Sequence, residues 1–164
     1  MTNNSFLKRY FLFLALLFSL VYCSNPVDLP QNIPISELLS APETITVENQ
    51  TIKIETSIYL NLQPMVSKTP MIAFIHIETV DSTNILSSIN AKSIYVVHEN
   101  NVWKSPFTSE ERPEHEMRPY RIIEVARDGP HWGPEIYADV IVSLEINNKP
   151  FLLRASNQLI GAAY

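Results

Sequence analysis

Residues 51–62, "TIKIETSIYLNL", alternate between apolar and polar side chains. The even positions include Ile52, Ile54, Ile58, Leu60 and Leu62, and the odd positions include Lys53, Glu55, Ser57, Tyr59 and Asn61. A period of two is typical of a β-strand with one buried face and one solvated face. This stretch therefore predicts that the folded part of the chain is built on strands.

Five other segments carry strand patterns. They are "MIAFIHIETV" (71–80), "SIYVVHE" (93–99), "YRIIEVAR" (120–127), "ADVIVSLEI" (138–146) and "KPFLLRAS" (149–156). Asn147 and Asn148 stand between the last two and predict a tight hairpin, because asparagine tolerates positive φ. No segment after residue 23 has a helical stripe of 11 residues or more. We expect an all-β fold, an antiparallel immunoglobulin-like sandwich of about seven strands, with a small β-barrel as the alternative.

The first 23 residues have the pattern of an export signal. Lys8 and Arg9 precede an apolar run, Phe11 to Tyr22, that Ser19 alone interrupts. Spanning a bilayer takes about 20 apolar residues, so this run is too short to span and matches the apolar region of a signal peptide. An uncleaved N-terminal anchor is the alternative.

Cys23, at the end of this run, is the only cysteine of the chain. A single thiol cannot form an internal disulfide in an exported protein. The segment "LVYC" resembles the lipobox of bacterial lipoproteins, with Leu20 and Val21 at the expected positions and Tyr22 in place of the usual small residue. The resemblance implies that Cys23 carries a lipid that anchors the chain to a membrane.

Residues 24–44 contain four prolines and predict an extended tether, or alternatively an arm packed on the domain. The folded domain is expected at residues 45–164. Without Lys8 and Arg9, 10 basic residues face 17 acidic ones, a net charge of −7. This balance argues against nucleic acid as a partner, because phosphate binding needs clustered cations.

The segment "RDGPHWGPEIY", residues 127–137, contains two of the three glycines, each followed by proline. Glycine and proline together restrict the backbone and predict a rigid double turn that presents His131 and Trp132. We expect a binding surface here with Trp132 as its anchor, flanked by Arg127 and Tyr137. The alternative is that Trp132 points inward and closes one end of the fold.

Two further segments contain charged residues that could belong to a site. Arg154, in "LLRASNQLIGAAY", either belongs to the same binding surface or pairs with a neighbouring acid such as Asp139 or Glu145. The charged segment "SPFTSEERPEHEMRPY", residues 105–120, is expected to be a solvated loop.

The sequence contains no catalytic, cofactor or metal motif. There is no G-x-S-x-G elbow, P-loop, dinucleotide fingerprint, EF-hand loop or H-E-x-x-H. A metal-dependent enzyme would require two or more of His98, His115 and His131 to converge with carboxylates. We therefore expect a protein that is not an enzyme and needs no cofactor or metal.

The chain also resembles bacterial lipoproteins that carry a single immunoglobulin-like sandwich. Cys23, "ADVIVSLEI", "RDGPHWGP" and "LLRASNQ" carry this resemblance, which covers most of residues 45–160. It implies an exported protein of the cell envelope, anchored by lipid, or alternatively one free in the periplasm or secreted. The expected partners are the membrane, through Cys23, and an envelope protein or glycan. A structural spacer of the envelope is the alternative function.

Overall fold

A computed structural model of the chain describes residues 32–62, 70–108 and 118–164. One short helix and eight strands form the described part. They are α1 (Ile35–Leu39), β1 (Thr44–Val47), β2 (Gln50–Asn61), β3 (Met71–Thr79), β4 (Ile89–His98), β5 (Asn101–Pro106), β6 (Arg121–Gly129), β7 (Ile136–Ile146) and β8 (Lys149–Ala163).

The strands join in a single curled sheet with the order β5-β4-β7-β8-β2-β3-β6, while β1 pairs with β2 beside this path. The prediction of an all-β fold is confirmed. The sheet is a half-barrel, so the small barrel describes the arrangement of strands more closely than two stacked sheets do. It is also mixed, because β2 and β8 run parallel over Ile58–Asn61 and Ile160–Ala163.

The interior of the curled sheet is filled by aliphatic side chains. On β2 these are the residues that the alternation assigns to the buried face, among them Ile52, Ile58 and Leu60. On β7 they are Val140 and Val142, with their even-numbered neighbours. Burial of such faces is the main favourable contribution to folding.

The two edges of the sheet meet at a seam between β5 and β6. Just after β5, the Thr108 amide donates a hydrogen bond to the Val125 carbonyl of β6 at 2.8 Å. Higher on the seam, Gly129 lies against Met71 and the ring of Trp103. The seam brings together the two edge strands of the curled sheet.

Strand β1 occupies a wedge between β2 and β8. It pairs with Gln50–Lys53 at the start of β2, whereas β8 pairs with β2 only from Ile58 onward. The two long strands therefore diverge from their shared end, and β1 lies in the space between them.

Residues 32–43, which we call the strap, cross the outer face of the sheet before β1. Ile33, Leu38 and Ala41 of the strap are buried in a second apolar cluster with Tyr95 and Ile141, among others. Within the segment predicted as a tether, residues 32–43 therefore pack on the sheet, in the manner of the packed arm given as the alternative. Residues 24–31, like the export signal and Cys23, lie outside the described residues.

The predicted Asn147–Asn148 hairpin is present. Both residues have positive φ, 51° and 62°, and Ile146 pairs with Lys149 across the turn. This backbone geometry is that of a type I′ turn, whose twist matches the twist of the flanking strands.

Candidate functional site

The loop between β6 and β7, residues 130–135, carries the predicted binding segment. Its two glycines act differently. Gly133 has φ +100°, a conformation that other residues rarely adopt, so it supplies a turn. Gly129 is buried at the end of β6, where a Cβ atom would come within 2.8 Å of the Met71 Cβ. Gly133 therefore allows the turn of the loop, and Gly129 allows the end of β6 to pack closely against Met71 and Trp103.

Trp132 is half-buried and packs against the interior cluster, in the manner of the inward-pointing alternative. Its ring lies 5.8 Å from the ring of His98, at the end of β4. The His98 Nδ1 is 3.0 Å from the Tyr137 carbonyl oxygen. Because a carbonyl only accepts, this hydrogen bond requires the proton on Nδ1. His98 therefore links Trp132 to the start of β7.

Tyr137 and Leu159 form an exposed apolar pair beside this loop. They are register partners on β7 and β8 and keep 56% and 51% of their surface exposed. Directly opposite residues of an antiparallel pair have Cβ atoms about 5 Å apart. The pair is thus one contiguous patch on rigid strands, which we call the Tyr137–Leu159 patch.

Arg154 takes part in the anchoring of the strap. Its guanidinium donates to Asp139 Oδ1 at 3.0 Å from Nε and 2.9 Å from Nη2. Nη1 donates to the Leu39 carbonyl, and the Arg154 amide donates to the Pro42 carbonyl at 2.9 Å. These contacts match the predicted cross-strand pairing with Asp139.

Arg127 and His131 are exposed, the first on β6 and the second in the loop. Cys23 and residues 109–117, which contain His115, lie outside the described residues. Sequence reasoning brought His131, Trp132 and Tyr137 together because they are neighbours in the chain. It named His98 only as a candidate metal ligand and did not place His98 or Leu159 beside this loop, because their positions depend on the pairing of β4 and β8 with β7.

A second cluster that the sequence did not reveal lies across β2, β3 and β6. Glu78, with 8% of its side chain exposed, accepts from Arg121 Nη2 at 2.6 Å and from Lys53 Nζ at 3.1 Å. Lys53 also contacts Glu55 at 2.6 Å. Lys53, Glu78 and Arg121 lie on β2, β3 and β6. The network therefore joins three strands on the outer face of the sheet.

Ionisation of Glu78 reflects two opposed effects. Burial raises the pKa of its carboxyl group, but the hydrogen bonds from Arg121 and Lys53 together outweigh burial, and the pKa lies below its usual value. Hydrogen bonds to Glu55 and Glu78 raise the pKa of Lys53 in turn. The cluster is therefore charged at neutral pH.

Among the described residues, no group of three or more His, Cys, Asp or Glu side chains is arranged to hold a metal ion. In the same part of the chain, no helix has the length and apolar character needed to cross a membrane. Comparison with protein families, with curated proteins and with solved structures finds no match to this chain. The candidate site therefore rests on geometry alone.

Proposed function

We propose that this protein is a lipid-anchored component of the bacterial cell envelope whose β domain binds another envelope protein and has no catalytic role. The Tyr137–Leu159 patch is the observation that carries this proposal. Two large side chains of neighbouring strands are each more than half exposed and side by side. Contiguous exposed apolar surface is typical of an interaction site.

The chemistry of the patch favours a protein partner over a glycan. Tyrosine is enriched at protein interfaces because its ring buries a large area while its hydroxyl keeps a polar contact. Leu159 offers no hydrogen bond, whereas a sugar needs many. His131 and Arg127, both exposed, add polar groups on the loop and strand nearby in the chain.

The supporting surface is preorganised. Trp132 is fixed between the core and His98, and the Tyr137 carbonyl is fixed by the same histidine. A site on rigid elements loses little conformational entropy on binding. The anchor is supported by the sequence alone, through Cys23 behind the apolar run.

The spacer alternative has less support. It relies on free strand edges that pair with another chain. In this fold the edge strands β5 and β6 are brought together at Thr108 and Val125, so the seam offers a shorter edge than an open sheet does.

Site-specific photo-crosslinking in cells tests the binding role. A photoreactive residue at Leu159 should give a discrete adduct, and one at Val80 should not. Val80 is the matched control because it is 53% exposed and follows β3 at the other end of the sheet. The adduct should disappear when Tyr137→Ser is added, while the melting temperature stays nearly unchanged because the side chain is exposed.

The outcomes separate the partner classes. An adduct that glycosidases leave intact and that yields peptides of a second protein by mass spectrometry supports a protein partner, and an adduct that glycosidases shorten identifies a glycan. Equal adducts at Leu159 and Val80 would refute the patch. For the anchor, a palmitate analogue should label the native chain in membranes and leave Cys23→Ala unlabelled; label in neither would refute lipidation.

A further inference from the structure

We propose that the strap holds the domain against the lipid surface, with the exposed face of β5 beside the start of the strap turned toward the bilayer. The inference rests on the lipid at Cys23 in the proposed function and adds an orientation to it. Three independent observations carry it: the fixation of the strap, the length of chain between strap and lipid, and the chemistry where the strap begins.

The strap is part of the folded domain along its whole length. Leu38 is fully buried, and Arg154 binds the carbonyls of Leu39 and Pro42. Glu43 accepts from the Ser156 hydroxyl just before β1 begins. The position of Asn32 on the domain is therefore fixed.

The remaining tether is short. Nine residue steps separate Cys23 from Asn32, and at most about 3.5 Å per step gives a reach of roughly 30 Å. A domain of roughly 130 residues is about 35 Å across. The tether is thus shorter than the domain is wide, and the face opposite Asn32 cannot turn to the bilayer while Cys23 stays in it.

The surface at Asn32 has the chemistry of a membrane interface. Asn32 and Ile33 border a cleft of about 280 Å³ with Tyr95, Val102 and Lys104. Val102 is 40% exposed, and the Lys104 ammonium lies 5.3 Å from the centre of the Tyr95 ring. Val102 and Lys104 are the exposed side chains of this cleft, whereas Tyr95 is buried beneath the strap. An exposed aliphatic side chain beside a lysine with an apolar stem suits the level of the lipid headgroups.

Opposite this face lies the outer surface of β2, four strands away from β5 in the sheet order. Ser57 is exposed there. In the proposed orientation Val102 lies near the bilayer and Ser57 lies far from it.

The test uses the full lipidated chain in vesicles of phosphatidylethanolamine and phosphatidylglycerol. Val102→Cys and Ser57→Cys each introduce one free thiol, since Cys23 carries the lipid, and each is labelled with a donor dye. Resonance energy transfer to an acceptor dye on the lipid headgroups should be more efficient from the dye on Val102→Cys than from the dye on Ser57→Cys. A Gly-Ser insertion of about 20 residues after Ser24 adds a reach of roughly 25 Å and should lower transfer and remove the difference.

Two failures are distinguishable. Equal transfer from the two positions in palmitoylated protein would overturn the orientation and leave the anchor standing. Absence of palmitate at Cys23, with no vesicle binding by either variant, would overturn the anchor and the orientation together.

Discussion

Gly129 lies at the seam with no room for a side chain. A Cβ atom there would stand 2.8 Å from the Met71 Cβ and 3.0 Å from two atoms of the Trp103 ring. Gly129→Ala should therefore lower the free energy of unfolding by about 1–3 kcal/mol, the usual cost of overpacking a core. Urea denaturation measures this loss.

Gly161 provides the control for this prediction. Its nearest neighbour would be the Ile58 carbonyl oxygen at 3.7 Å, an ordinary contact, and its φ is not in the left-handed region. Gly161→Ala should leave stability within about 0.5 kcal/mol of the native value. Equal losses in the two variants would contradict the seam packing.

Glu78 should make the fold sensitive to acid. Its pKa in the folded state lies below the usual value of 4.5, so its stabilising contribution is present above that value. This contribution is lost as the pH falls from 4.5 through the folded pKa. Thermal melts across this acidic range should show a melting temperature that falls as the pH is lowered in the native protein.

Glu78→Gln should reduce that acid dependence and lower stability at neutral pH by about 1–3 kcal/mol, because Arg121 and Lys53 lose their shared carboxylate. Glu37→Gln, on the exposed face of α1, is the control and should keep the native pH profile. An unchanged profile in Glu78→Gln would show that other groups control the acid response.

At the scale of one residue, the sequence predicted which side chains are buried better than which side chains contact one another. Alternation assigned Ile52, Ile58 and Leu60 to the interior, and they are buried there. Nothing in the alternation of β2, β3 or β6 could pair Glu78 with Arg121, because that contact depends on which strands are adjacent and in what register.

Among the elements, the β7–β8 hairpin was predictable from local chemistry. Asn148 has φ 62°, which asparagine and glycine tolerate and β-branched residues do not. Asn148→Val should lower the melting temperature, while Asn148→Gly should leave it equal or higher. Differential scanning calorimetry measures both, and equal effects would argue against the type I′ turn.

The strap is the element whose role the sequence left open. Proline restricts its own φ and removes a donor, which suits a free tether and a packed arm equally well. What decides between them is the complementary surface, formed by Tyr95, Val97 and Ile141 on two strands far away in the chain. No local signal in residues 24–44 contains that information.

Packing of the strap leads to a direct prediction at Leu38. Leu38→Ala should destabilise the whole domain by about 2–5 kcal/mol, as expected when a fully buried leucine is truncated. Ser36→Ala, exposed on the same helix, should have little effect. Guanidinium denaturation followed by circular dichroism compares the two, and similar midpoints would mean that the strap contributes little.

For the whole molecule, the all-β class followed from the sequence but the connectivity did not. Short alternating strands are compatible with a sandwich or a barrel, because each pattern specifies a buried face and not a neighbour. The parallel pairing of β2 with β8 and the wedge filled by β1 arise only when the sheet is assembled. The candidate site shares this limit, since Leu159 and His98 reach it from other strands.

Unfolding should be a single transition in the whole molecule. The two tryptophans, Trp103 at the seam and Trp132 at the β6–β7 loop, both contact the interior cluster. Denaturation followed by tryptophan fluorescence and by far-ultraviolet circular dichroism should therefore coincide. A fluorescence change that precedes the loss of strand signal would mean that the seam opens on its own.

The pairing of β2 with β8 has a consequence for folding during synthesis of the chain. Ile58 must meet Ile160, roughly a hundred residues later in the chain, and contacts between such distant residues form slowly. A growing chain cannot complete this sheet until the fifteen residues of β8, Lys149–Ala163, have been synthesised. Until then β2 keeps an open edge and an exposed apolar face, which is the kind of surface that holding chaperones bind. Completion of the sheet therefore depends on the synthesis of β8.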